Sequence, residues 1–132
     1  MTGTQRPLSP HLSVYKMWQA HLVTSILHRA TGTALSVGLL LMVWGVLALA
    51  AGAEYFAHFT AFAGSPVGII LLVGWSWSLL FHLCNGVRHL IEDGGHGYQI
   101  VQFRRSSWAA LIVSALLTVA VWACVLTRGV IA

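Results

Sequence analysis

The chain has 132 residues, of which 58% are hydrophobic and 8% charged. A soluble domain needs about 25% charged residues to cover its surface, so this composition excludes one and points to an integral membrane protein. The net charge of +4 comes from seven Lys and Arg residues spread over the non-membrane segments and helix ends. Such scatter reads as membrane topology signals and not as a nucleic-acid surface. The length allows one domain at most, residues 1–132.

The chain opens with a polar lead-in, residues 1–22. Arg6-Pro7-Leu8-Ser9-Pro10 disfavours helix, because proline restricts its own backbone and that of the residue before it. Residues 1–15 have no apolar run of the kind a signal peptide carries. The first span is therefore expected to direct insertion itself, which favours a bacterial inner membrane over a mitochondrial one.

Three apolar stretches follow, at 30–53, 66–91 and 108–126. Each meets the ~20 residues that an α-helix needs to cross a hydrocarbon core about 30 Å thick. Backbone amides find no water there, so helix is the physically reasonable form. The expected fold class is an all-α membrane protein with three transmembrane helices, at about 24–51, 66–92 and 107–127. Residues 52–65 read as a connection that carries Glu54 and His58 and no Lys or Arg. Ser65-Pro66 signals the start of the second helix, and Asp93-Gly94-Gly95 its end. The second connection, 94–106, holds Arg104 and Arg105. Cys84 and Cys124 fall inside spans, outside any CxxC or CxxCH pattern, and read as small apolar fillers.

The positive-inside rule then sets the expected orientation. Arg6 and Lys16 precede the first span, and Arg88, Arg104 and Arg105 flank the second connection. Three spans put these two segments on one side, so the N-terminus is expected inside and the C-terminus outside. Trp18, Tyr98 and Trp108 stand where interfacial anchors belong.

Ionisable groups in a membrane span are costly and call for a function. In the first helix Ser25, His28, Arg29 and Gly32 lie at i, i+3, i+4 and i+7, on one face. A hydroxyl, an imidazole, a guanidinium and bare backbone on one stripe suit a polar head group at the membrane edge. The alternative is that Arg29 reaches out to anionic lipid and Ser25 caps the helix. In the second helix His82, Gly86, His89 and Asp93 share a face. His82 lies about 10 Å deeper than the expected helix end. A neutral imidazole at that depth suits an axial ligand of haem iron, with Gly86 leaving room for a flat macrocycle. Arg29 and Arg88 are natural counter-ions for haem propionates; the alternative for His82 is an interhelical hydrogen bond. Only His82 is deep, so the second axial ligand is either His28 or a residue of another subunit, and the small bundle favours a partner.

At these motifs the sequence resembles the cytochrome b556 membrane-anchor family of succinate dehydrogenase (complex II). The resemblance rests on Arg6-Pro7-Leu8-Ser9-Pro10-His11-Leu12, on Ser25-Ile26-Leu27-His28-Arg29-Ala30-Thr31-Gly32, and on His82, Gly86-Val87-Arg88-His89-Leu90, Asp93 and Gly95. The two motifs, their separation and the three-span plan cover nearly the whole chain. The resemblance implies a subunit that does not act on succinate itself. Succinate would be oxidised in a flavoprotein subunit, and electrons would pass through an iron–sulfur subunit to ubiquinone. Ser25, Ile26 and Arg29 would line the quinone site. His82 would be an axial ligand of haem b, the other ligand coming from a second small anchor subunit in the lipid bilayer. His28, Arg29 and His89 would border the haem, and no nucleic acid is involved.

Two departures stand out. The stretch between Leu12 and Ser25 is one residue longer than in the family's forms and lacks their proline before the serine; Glu92 stands where the family more often has an aromatic residue or Met. Among other readings, a small transporter needs an intramembrane carboxylate, and the acids Glu54, Glu92 and Asp93 lie at span ends. A haem-free structural anchor, or a fumarate reductase anchor running the chemistry in reverse, is the remaining alternative.

Overall fold

The computed structural model describes residues 18–129. The proline-containing lead-in motif, Arg6, His11 and Lys16 lie outside them. The described chain is all-helical: α1 Ala20–Ala51, α2 Ala53–Ala63, α3 Pro66–Asp93 and α4 Ile100–Thr127. α1, α3 and α4 are each long and apolar enough to cross a membrane, as expected. With 32, 28 and 28 residues, they run to about 48, 42 and 42 Å at 1.5 Å per residue. Each is therefore longer than a hydrocarbon core about 30 Å thick.

Residues 52–65, expected as a connection, instead carry the 11-residue helix α2. Gly52 separates α1 from α2 at φ 121°, a backbone conformation that a side chain would strain. α2 is too short to span, and an aromatic cluster ties it to α1. Trp44 meets Phe59 and Phe62 at centroid distances of 5.1 and 5.3 Å, and Gly45 makes room, since a Cβ there would come within 2.8 Å of Phe59 Cζ. α3 starts as its sequence predicts. The Ser65 hydroxyl accepts from the Gly68 amide at 3.1 Å, and Pro66 occupies the first turn.

Two helix starts differ from expectation. α1 begins at Ala20, capped by the extended Gln19, so Ser25 lies inside the helix and is not its cap. α4 begins at Ile100, seven residues before the apolar run suggests. Its first turns are held by Phe103, Ser106 and Ser107 packing toward α3, while Arg104 and Arg105 stay exposed.

The burial pattern is inverted relative to a soluble protein. Most large aliphatic side chains are exposed, and the buried set is dominated by Thr24, Thr31, Ser78, Asn85, Arg88, Glu92, Ser107, Ser114 and Thr118. Lipid is as apolar as leucine, so helices in it associate through small and hydrogen-bonding residues. The buried hydroxyls return their protons to carbonyls of their own helix, as in Ser107 to Phe103 O at 2.9 Å and Thr118 to Ser114 O at 2.8 Å. Backbones thus approach closely without orphaned hydroxyls. α3 is the central helix, with α1 on one side and α4 on another. The start of α1, the end of α3 and the start of α4 share one end of the bundle, where His21 lies 5.5 Å from Phe103.

Candidate functional site

The site is built where α1 crosses α3. Gly32 lets the two helices close on an imidazole: a Cβ there would stand 3.1 Å from His82 Cε1. His82 Nδ1 lies 3.2 Å from the His28 carbonyl oxygen and 3.3 Å from Thr31 Oγ1. The Thr31 hydroxyl donates to Leu27 O at 2.8 Å, so its lone pairs and the His28 carbonyl both face His82 as acceptors. The proton of neutral His82 therefore sits on Nδ1. Nε2 is left with a free lone pair, the arrangement that outer-shell hydrogen bonds impose on metal-binding histidines.

His28 stacks on the same ring. The imidazoles of His28 and His82 are 3.9 Å apart between centroids and within 10° of parallel. Stacked this closely, the two rings would not hold one group between their faces. His89 approaches His28 edge-on, at 5.2 Å and 65°. His28, His82 and His89 are all only part-buried, so the cluster opens outward from the chain's own bundle. A part-buried imidazole whose Nδ1 is engaged and whose Nε2 has no partner among the described residues would fit a haem iron.

Ser25 and Arg29 stand one turn apart on α1, with Ser25 half-buried, Arg29 exposed and Ile26 54% exposed. Among the described residues, neither the Ser25 hydroxyl nor the Arg29 guanidinium has a side-chain partner within the chain. They form an open polar edge beside His28, not a closed pocket. A cleft of about 860 Å³ at this end is lined instead by residues such as Trp18, His21, Tyr98, Phe103, Arg104 and Trp108.

Arg88 departs from the sequence reading, which made it a propionate counter-ion. It is 7% exposed and committed to its own chain. Nε donates to Ser106 Oγ at 3.0 Å, the guanidinium carbon lies 4.3 Å from the Phe103 ring centroid, and Nη2 meets Glu92 Oε1 at 2.8 Å. A charge in this position is stable only when paired. The buried Glu92 carboxylate neutralises it, and that task consumes Arg88. Of the two expected cations, only Arg29 is free to meet an anion outside the bundle.

Sequence reasoning missed Thr31, Asn85 and Glu92. The i, i+4 spacing of Arg88 and Glu92 was the available signal. Asn85, 0% exposed in a membrane helix, was the other.

Comparison with known proteins agrees with this architecture. Residues 2–121 match the family described as succinate dehydrogenase/fumarate reductase transmembrane subunit. The chain belongs to that family. A succinate dehydrogenase cytochrome b556 subunit of Paracoccus denitrificans is 42% identical over 114 residues, covering 86% of this chain and 87% of its own. One from Rickettsia felis is 38% identical over 118 residues, covering 89% and 91%. The mitochondrial cytochrome b560 subunit of succinate dehydrogenase from Sus scrofa is 37% identical over 121 residues, covering 89% and 70%. The similarity thus extends over the spans and both polar motifs. The relatives are subunits of an enzyme complex, succinate dehydrogenase, and the chain itself is an integral membrane protein of that family.

Proposed function

We propose that this chain is a membrane-anchor subunit of a succinate:ubiquinone oxidoreductase. In this reading it supplies one axial ligand to haem b and one wall of the ubiquinone site. The observation that carries the reading is His82: its Nδ1 faces the His28 carbonyl at 3.2 Å, and among the described residues its Nε2 has no partner. His82 Nε2 is the proposed ligand to iron, with a histidine of a second small anchor subunit opposite. His28 and Arg29 meet the propionates, and His89 borders the pocket. Haem b, when bound, supplies a one-electron carrier inside the membrane.

Ubiquinone is the proposed substrate at Ser25, Ile26 and Arg29. Its reduction takes two electrons, from the iron–sulfur subunit, and two protons. Negative charge develops on a quinone carbonyl oxygen as electrons arrive. A hydroxyl and a guanidinium one helical turn apart donate hydrogen bonds to that oxygen where it charges, which stabilises the transition state more than the neutral ground state. Ile26 offers an apolar contact for the ring. The site is incomplete within this chain, so partner subunits close it, and the flavoprotein subunit oxidises succinate.

The orientation belongs to the same proposal. The bundle end that carries Arg29, Arg104 and Arg105 faces the cytoplasm of a bacterium, and the end with α2 and Arg128 faces outside, as the distribution of cations supports. The inner membrane of a bacterium is the proposed location. Protons for quinol then come from the cytoplasmic side.

The test is quinone turnover in the purified complex. Ser25→Ala and Arg29→Leu each lower ubiquinone reduction at least tenfold, while succinate oxidation by a soluble dye persists. Unchanged quinone turnover in both variants removes the site assignment.

A further inference from the structure

The inner end of α3 contains a group that the proposed haem and quinone chemistry does not use. Asn85, Arg88, His89 and Glu92 occupy about two turns, and their side chains close a ring. Arg88 Nη1 donates to Asn85 Oδ1 at 3.4 Å. Asn85 Nδ2 lies 3.1 Å from His89 Nε2. His89 Nδ1 lies 3.3 Å from Glu92 Oε2, and Glu92 Oε1 lies 2.8 Å from Arg88 Nη2. Two edges of the ring are hydrogen bonds. The other two are ion-pair contacts, and the Arg88–Glu92 contact is off-line for a hydrogen bond.

Donor and acceptor counting fixes the protons. A guanidinium only donates, so the Asn85 atom facing Arg88 is its oxygen, and the atom facing His89 is its NH2. An NH2 only donates, so His89 Nε2 accepts and carries no proton. The His89 proton is then on Nδ1, the ring nitrogen that lies 3.3 Å from Glu92 Oε2. The reversed amide would set two donors against each other at Arg88. The ring thus admits one tautomer of neutral His89. Asn85 is fully buried, and Arg88 and Glu92 are 7% and 8% exposed, so three corners of the ring are shielded from water, while the His89 side chain is 45% exposed. Arg88 also bonds Ser106 on α4, which anchors the ring to a second helix.

The consequence reaches the candidate site through His89, whose ring stands edge-on to His28, which in turn stacks on His82. We propose that Glu92 is a positioning residue: with Arg88 and Asn85 it holds His89 as the Nδ1-protonated neutral tautomer and so fixes the wall against which His28 and His82 stack. The ring stands without haem; its effect on the haem pocket rests on the function proposed above. Glu92 is suited to the task because a carboxylate has two oxygens, one for each neighbour. An aromatic residue or Met at this position would leave Arg88 buried without its counter-charge and His89 free to turn.

The test is nitrogen-15 solid-state NMR of the histidine-labelled complex in bilayers. Dithionite reduction keeps a bis-imidazole iron diamagnetic, and a His89→Gln sample identifies the His89 signals. The expected wild-type result is a protonated Nδ1 and a bare Nε2. In Glu92→Gln one acceptor oxygen must serve both Arg88 and His89. The bare Nε2 signal then weakens or splits, and the oxidised haem's low-spin electron paramagnetic resonance signal shifts while haem content is retained. A wild-type His89 protonated on Nε2, or on both nitrogens, overturns the proposal, as does a Glu92→Gln complex identical to wild type in both spectra. Should Glu92→Gln fail to assemble, the wild-type nitrogen spectrum alone decides. A complex without haem in which His89 still has a bare Nε2 supports the ring and removes the haem reading.

Discussion

The Gly32 backbone and the His82 imidazole meet at the closest point of the α1–α3 crossing, where a Cβ on residue 32 would lie 3.1 Å from His82 Cε1. Real Cβ contacts this tight require the neighbour to give way. His82 cannot do so freely, because its Nδ1 is held by the His28 carbonyl and Thr31 and one of its faces is covered by His28. Gly32→Ala therefore rotates the imidazole, and Gly32→Val displaces it. The expected outcome is a graded loss of bound haem, partial for Ala and at least fivefold for Val, measured as the haem-to-protein ratio of the purified complex.

Thr31 is expected to matter less. Its hydroxyl shares the His82 Nδ1 proton with the His28 carbonyl, so Thr31→Val removes one of two acceptors and keeps the shape. A neutral hydrogen bond contributes about 0.5–1.5 kcal/mol net. Haem content should stay near wild type, with a small shift in haem potential read by redox titration.

Removing one partner of the buried Arg88–Glu92 pair strands a charge. Such a deletion typically costs about 3–5 kcal/mol, whereas replacing both partners by apolar residues is often neutral. Arg88→Leu should sharply destabilise the helix bundle, and Arg88→Leu with Glu92→Leu should recover much of the loss. Thermal unfolding of the complex in detergent measures both, and equal destabilisation by the single and double variants would contradict the pairing.

Gly38 gives a control away from the polar end. A Cβ there would collide with the Trp75 indole, so this ring seats directly on the α1 backbone. Overpacking of this kind costs about 1–3 kcal/mol. Gly38→Leu should lower the melting temperature of the complex while leaving the absorption spectrum of any haem that remains unchanged.

The legible parts of the chain were those written in hydropathy and charge. The three spans follow from apolar length, and Ser25, His28, Arg29 and His82 stand out because polar groups in a span are rare. α2 was hidden because Gly52 and Glu54 resemble a loop, while the Trp44, Phe59 and Phe62 cluster ties that segment to α1 as a helix. The early start of α4 was hidden because Arg104 and Arg105 look like a boundary, although they point outward while Phe103 and Ser106 face Arg88. The role of Arg88 could not be read from its own identity. A guanidinium near a histidine suits a propionate or a carboxylate equally, and Glu92 one turn away decides between them.

The central claim is that His82 Nε2 binds haem iron, and one spectrum tests it directly. The dithionite-reduced-minus-oxidised absorption spectrum of the purified complex should show a b-type α-band that is lost in His82→Ala and retained in His28→Ala, whose ring only stacks on that of His82. A full α-band in His82→Ala would contradict the account.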